Sequence, residues 1–351
     1  MEIESITVID SNGKVLLYSV DDFYTRIVVG DDCFICGASR DSKKFNDEHI
    51  LPDWLLTKYE LHNKWISLGN NANFQYGRYT VPCCEECNSN LGKQIETPIS
   101  QLLKLPYSEI CKAISTDQNN LILLYNWLLL IFFKTHLKDK EFNWNMDRRK
   151  DNIKISEIYD WQDMHHIHCM IRKDYTNAMV DTATIGSIFI LPAIEHSLIE
   201  PFDFGDNYAG KTIMIRLDGF CVVSVLNDSC AAYNFLRDEL SYISGPLTPQ
   251  QLREVFALMT YININLKFRP RYYSEFSDNG DYHIKANIPK KLELVDEKDR
   301  VVTQGELLFT FCKDMVGQIP DKESILSEIK EGKRRYLFNE NGDFLDYSKD
   351  V

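Results

Sequence analysis

The chain has 351 residues, a net charge of −13, 44% hydrophobic and 12% aromatic residues. That apolar content excludes a disordered polypeptide, and the length favours two domains over one. The acidic balance excludes a broad surface that binds polyanions without selectivity. It leaves room for a local patch, and RRK at 148–150, KFRPRYY at 267–273 and KRRY at 333–336 are the basic clusters present. Each reads first as a solvated face.

Residues 5–29 alternate apolar and polar, with Asn12-Gly13 suited to a type I′ hairpin turn, so a β leader is expected over 1–29, YTRIVV included. The opening MEIESITVID has neither a basic n-region nor an apolar h-region, and no secretory signal is expected. A cysteine-rich block follows over 30–112, with a helix expected over 98–115. NLILLYNWLLLIFFKTHL promises a helix over 119–137. Interrupted by Asn126, it falls short of about 18 to 20 clean apolar residues and reads as a core helix instead of a membrane span.

Between 150 and 227 strand-like runs dominate: HHIHCMIR, GSIFILPA, KTIMIRL and FCVVSVL. Helices are expected near 229–243, after Thr248 as N-cap with Pro249 at the first helical position, and near 321–333. Nothing repeats at a fixed period. The mixed α/β region 113–351 carries no recognised motif and is expected to regulate, sense or recognise a target.

Ten cysteines are too few for a secreted disulfide scaffold. Cys111, Cys169, Cys221, Cys230 and Cys312 are scattered and read as buried thiols of a reduced cytoplasm. The other five are concentrated. Cys33 and Cys36 form one C-x2-C pair, and Cys84 and Cys87 form another. Two such turns supply the four thiolates of a closed, structural zinc site. Cys83 could replace Cys84, but only Cys84 keeps the spacing. Between the pairs, Glu48 and His49 stand side by side before Ile50, Leu51 and Pro52. On a strand they point to opposite faces. Asn88 follows the last cysteine at the start of an apparent helix. His165, His166 and His168 lack a matched carboxylate or thiol cluster and read as strand residues, with His166 and His168 on one face.

The run CFIC…DEHILP…CEECN resembles the zinc-stapled HNH, or ββα-metal, endonucleases, a family of phage and bacterial restriction and defence nucleases. The likeness covers roughly 33–96. It implies an α+β fold with a small ββα nuclease domain ahead of a larger C-terminal domain. It also implies cytoplasmic cleavage of DNA in restriction or antiviral defence, leaving a 5′ phosphate. By the same resemblance His49 is the general base, and Glu48 and Asn88 hold a catalytic Mg²⁺ or Mn²⁺. Glu48 stands where aspartate is common. Asn70, Asn71 and Asn73 all compete for the asparagine that orients the base. Glu96 is a further candidate for the metal shell, read first as a solvated helix face. A protein partner or activating ligand is expected to act through the C-terminal domain. The alternatives are a zinc-stapled nucleic-acid- or protein-binding module without catalysis, and a nuclease subunit active only within a complex.

Overall fold

The computed structural model describes residues 6–70, 72–145, 147, 149, 153–317 and 320–348. In chain order the first elements are β1 (Val8–Ile9), β2 (Val15–Leu17), α1 (Val20–Asp22), β3 (Phe45–His49), α2 (Asp53–Lys58), β4 (Trp65–Ser67), β5 (Asn73–Gln75) and β6 (Thr80–Cys84). Then come α3 (Glu85–Leu91), α4 (Thr97–Leu102), α5 (Tyr107–Thr116), α6 (Gln118–Asp139), α7 (Ile155–Ile158), α8 (Gln162–Ile171), α9 (Lys173–Thr176) and β7 (Met179–Val180). The remainder comprises β8 (Ile188–Pro192), β9 (Phe202–Asn207), β10 (Thr212–Leu217), β11 (Phe220–Val225), α10 (Ala231–Leu240), α11 (Pro249–Ile264), β12 (Arg271–Phe276), β13 (Tyr282–Asn287), α12 (Gln304–Cys312) and α13 (Lys322–Lys330). The fold is α+β.

Two compact units result, and both are discontinuous in sequence. One holds 1–105, 113–184 and 272–286; the other holds 106–112, 185–271 and 287–351. These units do not coincide with the division expected after residue 112. Residues 113–184 pack with the cysteine-rich block because the apolar helix α6 needs that block to cover it. α6 is buried along Leu124–Phe133 and packs against α4, α8, β6 and the π-helical turn Gly92–Glu96. Among the described residues it is the one helix long and apolar enough to cross a membrane, but 78% of its apolar window is buried here. It is a core helix.

The leader departs from expectation twice. β1 and β2 do pair antiparallel, but their connection is wider than a two-residue turn. Asp10 N–H bonds the Lys14 carbonyl, the Asp10 side chain accepts from Asn12 and Lys14 amides, and Gly13 takes φ +82°. The register slips between Val8 and Ile9, as a bulged hairpin requires. The YTRIVV run is not a strand. Ser19 caps α1 by accepting from Asp22 N–H, and Phe23–Val29 continues as a π-helix that buries Phe23, Ile27 and Val28. Capping and burial at helical spacing override the β preference of the branched residues.

HHIHCMIR is likewise helical. α8 buries Met164, His165, Ile167, His168, Cys169, Met170 and Ile171, so its apolar pattern runs almost all round and hides the 3.6-residue period. The same unit also contains the β4–β5 hairpin and a sheet of order β12-β13-β7.

The second unit is built on a four-stranded antiparallel sheet of order β8-β11-β10-β9. β10 and β11 are buried at every position, and α11 lies against them. Met214, Val223, Leu252, Phe256, Met259 and Leu308 belong to this core. α11 starts as its sequence promises: Thr248 and Gln251 form a reciprocal capping box, with Pro249 in the first turn.

Candidate metal centre and adjoining polar site

The Sγ atoms of Cys33, Cys36, Cys84 and Cys87 lie within 4.8 Å of one another, and all four residues are buried. In the first knuckle Gly37 N–H bonds the Cys33 carbonyl and Cys33 N–H bonds that of Ala38. Gly37 takes φ +72°, and a Cβ there would stand 1.7 Å from the Tyr18 hydroxyl, so glycine is required. The second knuckle is the junction of β6 and α3, with Cys84 at the helix N-cap and Cys87 in its first turns. A tetrahedron with metal–sulfur bonds of about 2.3 Å separates its sulfurs by roughly 3.8 Å. The Cys36–Cys84 separation of 3.6 Å is of that size.

Electrostatics point the same way. The Cys33 thiol is pushed far down by hydrogen bonds from Cys36, Cys83 and Cys87. The hydrogen bond to that thiolate, with its charge, in turn drives Cys36 up to about 12 and raises Cys87 and Cys83. Without a cation one thiolate excludes the others; a bound metal lets all four ionise. Four buried thiols in this arrangement fit zinc. Cys83 sits 3.9 Å from Cys33 but outside the set of four.

The first knuckle is held from behind by α8 and the residue after it. His168 Nε2 bonds the Phe34 carbonyl at 2.8 Å, and Arg172 Nε donates to the Ile35 carbonyl at 2.6 Å. Arg172 also donates to Val15 at 2.6 Å and Leu16 at 3.3 Å, and His165 Nε2 bonds the Tyr18 carbonyl at 2.8 Å. His166 stacks on Tyr272, with centroids 3.8 Å apart. Burial pushes the pKa of all three histidines down. The histidine-rich run thus braces the cysteine knuckle. No sequence periodicity announced this, because the partners are carbonyls more than 130 residues away.

The residues named from sequence gather around β3, β6 and α3. β3 and β6 pair antiparallel with Glu48 opposite Val81 and His49 opposite Thr80, and β6 runs directly into α3. Asn88 Nδ2 donates to Asn46 Oδ1 at 2.8 Å. Asn46 and Glu48 share a strand face, so Asn88 reaches that face two residues short of the carboxylate. Glu48 turns inward and is 6% exposed, whereas His49 is half-buried.

Glu48 already has a cation. Lys134 Nζ, from α6, is 2.6 Å from Glu48 Oε1, 2.6 Å from the His49 carbonyl and 3.9 Å from Glu96 Oε1. Glu96 is therefore turned toward Lys134, with its side chain 20% exposed. Burial raises its pKa, against the pull of Lys134.

The asparagine question resolves differently. Asn70 donates to the Asn143 carbonyl, and Asn73 accepts from Ser67. Asn71, like Arg148 and Lys150 of the RRK cluster, lies outside the described residues. The neighbour that His49 does have is His62, edge-on at 6.3 Å between ring centroids. His62 Nε2 is in turn 2.9 Å from Asp53 Oδ1. A histidine thirteen residues past a strand end carries no spacing signal, so sequence reading missed it.

No family model matches the chain, and no curated protein or solved structure matches it at a significant level.

Proposed function

We propose that the chain is a metal-dependent phosphodiesterase of the HNH type, acting on DNA as an endonuclease with a structural zinc. One observation carries the reading. β3, β6 and α3 form a strand–strand–helix unit whose ends are gathered by four thiols, with Glu48 and His49 closing the first strand and Asn88 bonded back to it.

In this reading Glu48 and Asn88 offer oxygen donors, the kind that hard divalent ions take. Such an ion, Mg²⁺ or Mn²⁺, would neutralise charge on the scissile phosphate. His49, half-buried at the strand end, accepts the proton of the attacking water. The water oxygen bonds to phosphorus as the bond to the 3′ oxygen breaks, and the leaving 3′ oxygen takes a proton from solvent, giving a 3′ hydroxyl and a 5′ phosphate. His62, held by Asp53, lies edge-on beside His49 at the margin of this site.

A second reading is a zinc-stapled binding module without catalysis. The Lys134–Glu48 pair favours it, because an ammonium already neutralises the carboxylate. Plasmid cleavage with Mg²⁺ or Mn²⁺ separates the two. Wild type should cut, and His49→Ala, with unchanged zinc content, should lose about 10²- to 10⁴-fold in rate. Asn88→Ala should cut weakly and recover partly at higher metal concentration. A wild type that binds DNA and never cuts it establishes the binding module.

A further inference from the structure

We infer that Lys134 is a resident cation of this site, which competes with a divalent ion for Glu48 and so sets how tightly that ion binds. The inference rests on the reading of Glu48 as a metal ligand.

Lys134 is 0% exposed, on a helix whose preceding turn is Ile131, Phe132 and Phe133. A buried ammonium is costly unless its donors are met and its charge is paired. All its named acceptors belong to the candidate site or its margin. They are the Glu48 carboxylate, the His49 carbonyl and, further off, the Glu96 carboxylate. Lys134 thus touches the residue proposed to bind metal and the backbone of the residue proposed as base.

The charge count gives the consequence. Glu48 and Glu96 together bring −2, and Lys134 reduces this to −1. A divalent ion on the Glu48 carboxylate necessarily comes close to the ammonium, and like charges in a buried site repel strongly. Metal binding therefore requires Lys134 to loosen its hold on Glu48. Glu96, at 3.9 Å, is the acceptor toward which the ammonium can move without losing its counter-charge. The site then fills only when divalent ion is abundant.

The test is Mn²⁺ affinity of the zinc-loaded full chain, measured by calorimetry and by the electron paramagnetic resonance of free Mn²⁺. Lys134→Met should bind Mn²⁺ at least tenfold more tightly than wild type, equivalent to about 1.4 kcal/mol. Adding Glu48→Gln should abolish that gain. Lys134→Gln, which can still donate to Glu48 and the His49 carbonyl, should show the same gain if the Met variant does not fold. If neither neutral variant folds, Glu96→Gln reads the competition from the other side and should weaken Mn²⁺ binding at least threefold. Affinity unchanged within twofold, weaker binding in the neutral variants, or a gain that survives Glu48→Gln overturns the inference. Cleavage assays on the same proteins keep the two ideas apart. A chain that never cuts sinks the nuclease reading whatever the affinities show; unchanged affinities in a chain that cuts sink only the role of Lys134.

Discussion

Replacing Arg172 by methionine should loosen the cysteine knuckle without touching a thiol. Arg172 is 1% exposed and donates to the carbonyls of Ile35 and Val15 at 2.6 Å each, and of Leu16 at 3.3 Å. Its guanidinium also lies 4.7 Å from the Tyr18 ring centroid. The two short charge-assisted bonds contribute about 1.5–3 kcal/mol each, and the ring contact about 0.5–2. Removing the charge returns part of this as relieved desolvation, leaving a net loss of about 3–4 kcal/mol. All five tryptophans, Trp54, Trp65, Trp127, Trp144 and Trp161, lie in the unit that holds the knuckle. Urea titration followed by tryptophan fluorescence therefore reports that unit alone. Because Ile35 sits between Cys33 and Cys36, zinc transfer to a chromogenic chelator should also quicken. A stability loss under about 1 kcal/mol with unchanged transfer would refute the brace, since burial and short distances would then carry no energy.

Cys36→Ser should lose the single structural zinc and melt the knuckle, whereas Cys83→Ser should keep about one zinc per chain by metal analysis; the reverse would move the ligand register to Cys83. A chain ended after residue 112 should aggregate on expression, because it lacks α6 and α8, which cover the cysteine block; a soluble, zinc-loaded fragment would contradict the unit boundary. Acid should destabilise the first unit early. His165 and His168 have depressed pKa values when folded, so their neutral-state stability is full above about pH 6.5 and falls as pH drops below it, by at most about 1.4 kcal/mol per pH unit for each histidine. Unfolding titrations between pH 7.5 and 5 should show that slope, and His168→Gln, whose amide can keep the Phe34 bond, should remove about one proton from it.

What was legible in the sequence was set over short distances. The two C-x2-C pairs predict a thiol cluster because turn geometry aims both sulfurs of a pair at one point, and the four sulfurs do converge. Thr248 and Pro249 announce α11 through capping chemistry confined to one turn. GSIFILPA, KTIMIRL and FCVVSVL read as strands and are strands, since short β-rich runs between turns decide themselves locally. HHIHCMIR failed for a related reason: buried on nearly every side, it keeps neither period, and packing chose helix.

The rest was decided by tertiary structure. Lys134 meets Glu48 across 86 residues, and Arg172 meets Ile35 across 137. A lysine inside an apolar helix gives no sign of which carboxylate will neutralise it. Sequence alone supplied the four converging thiols and the helix that follows the second pair. Only folding could supply the cation placed on Glu48, because a buried charge takes its partner from whichever element closes over it.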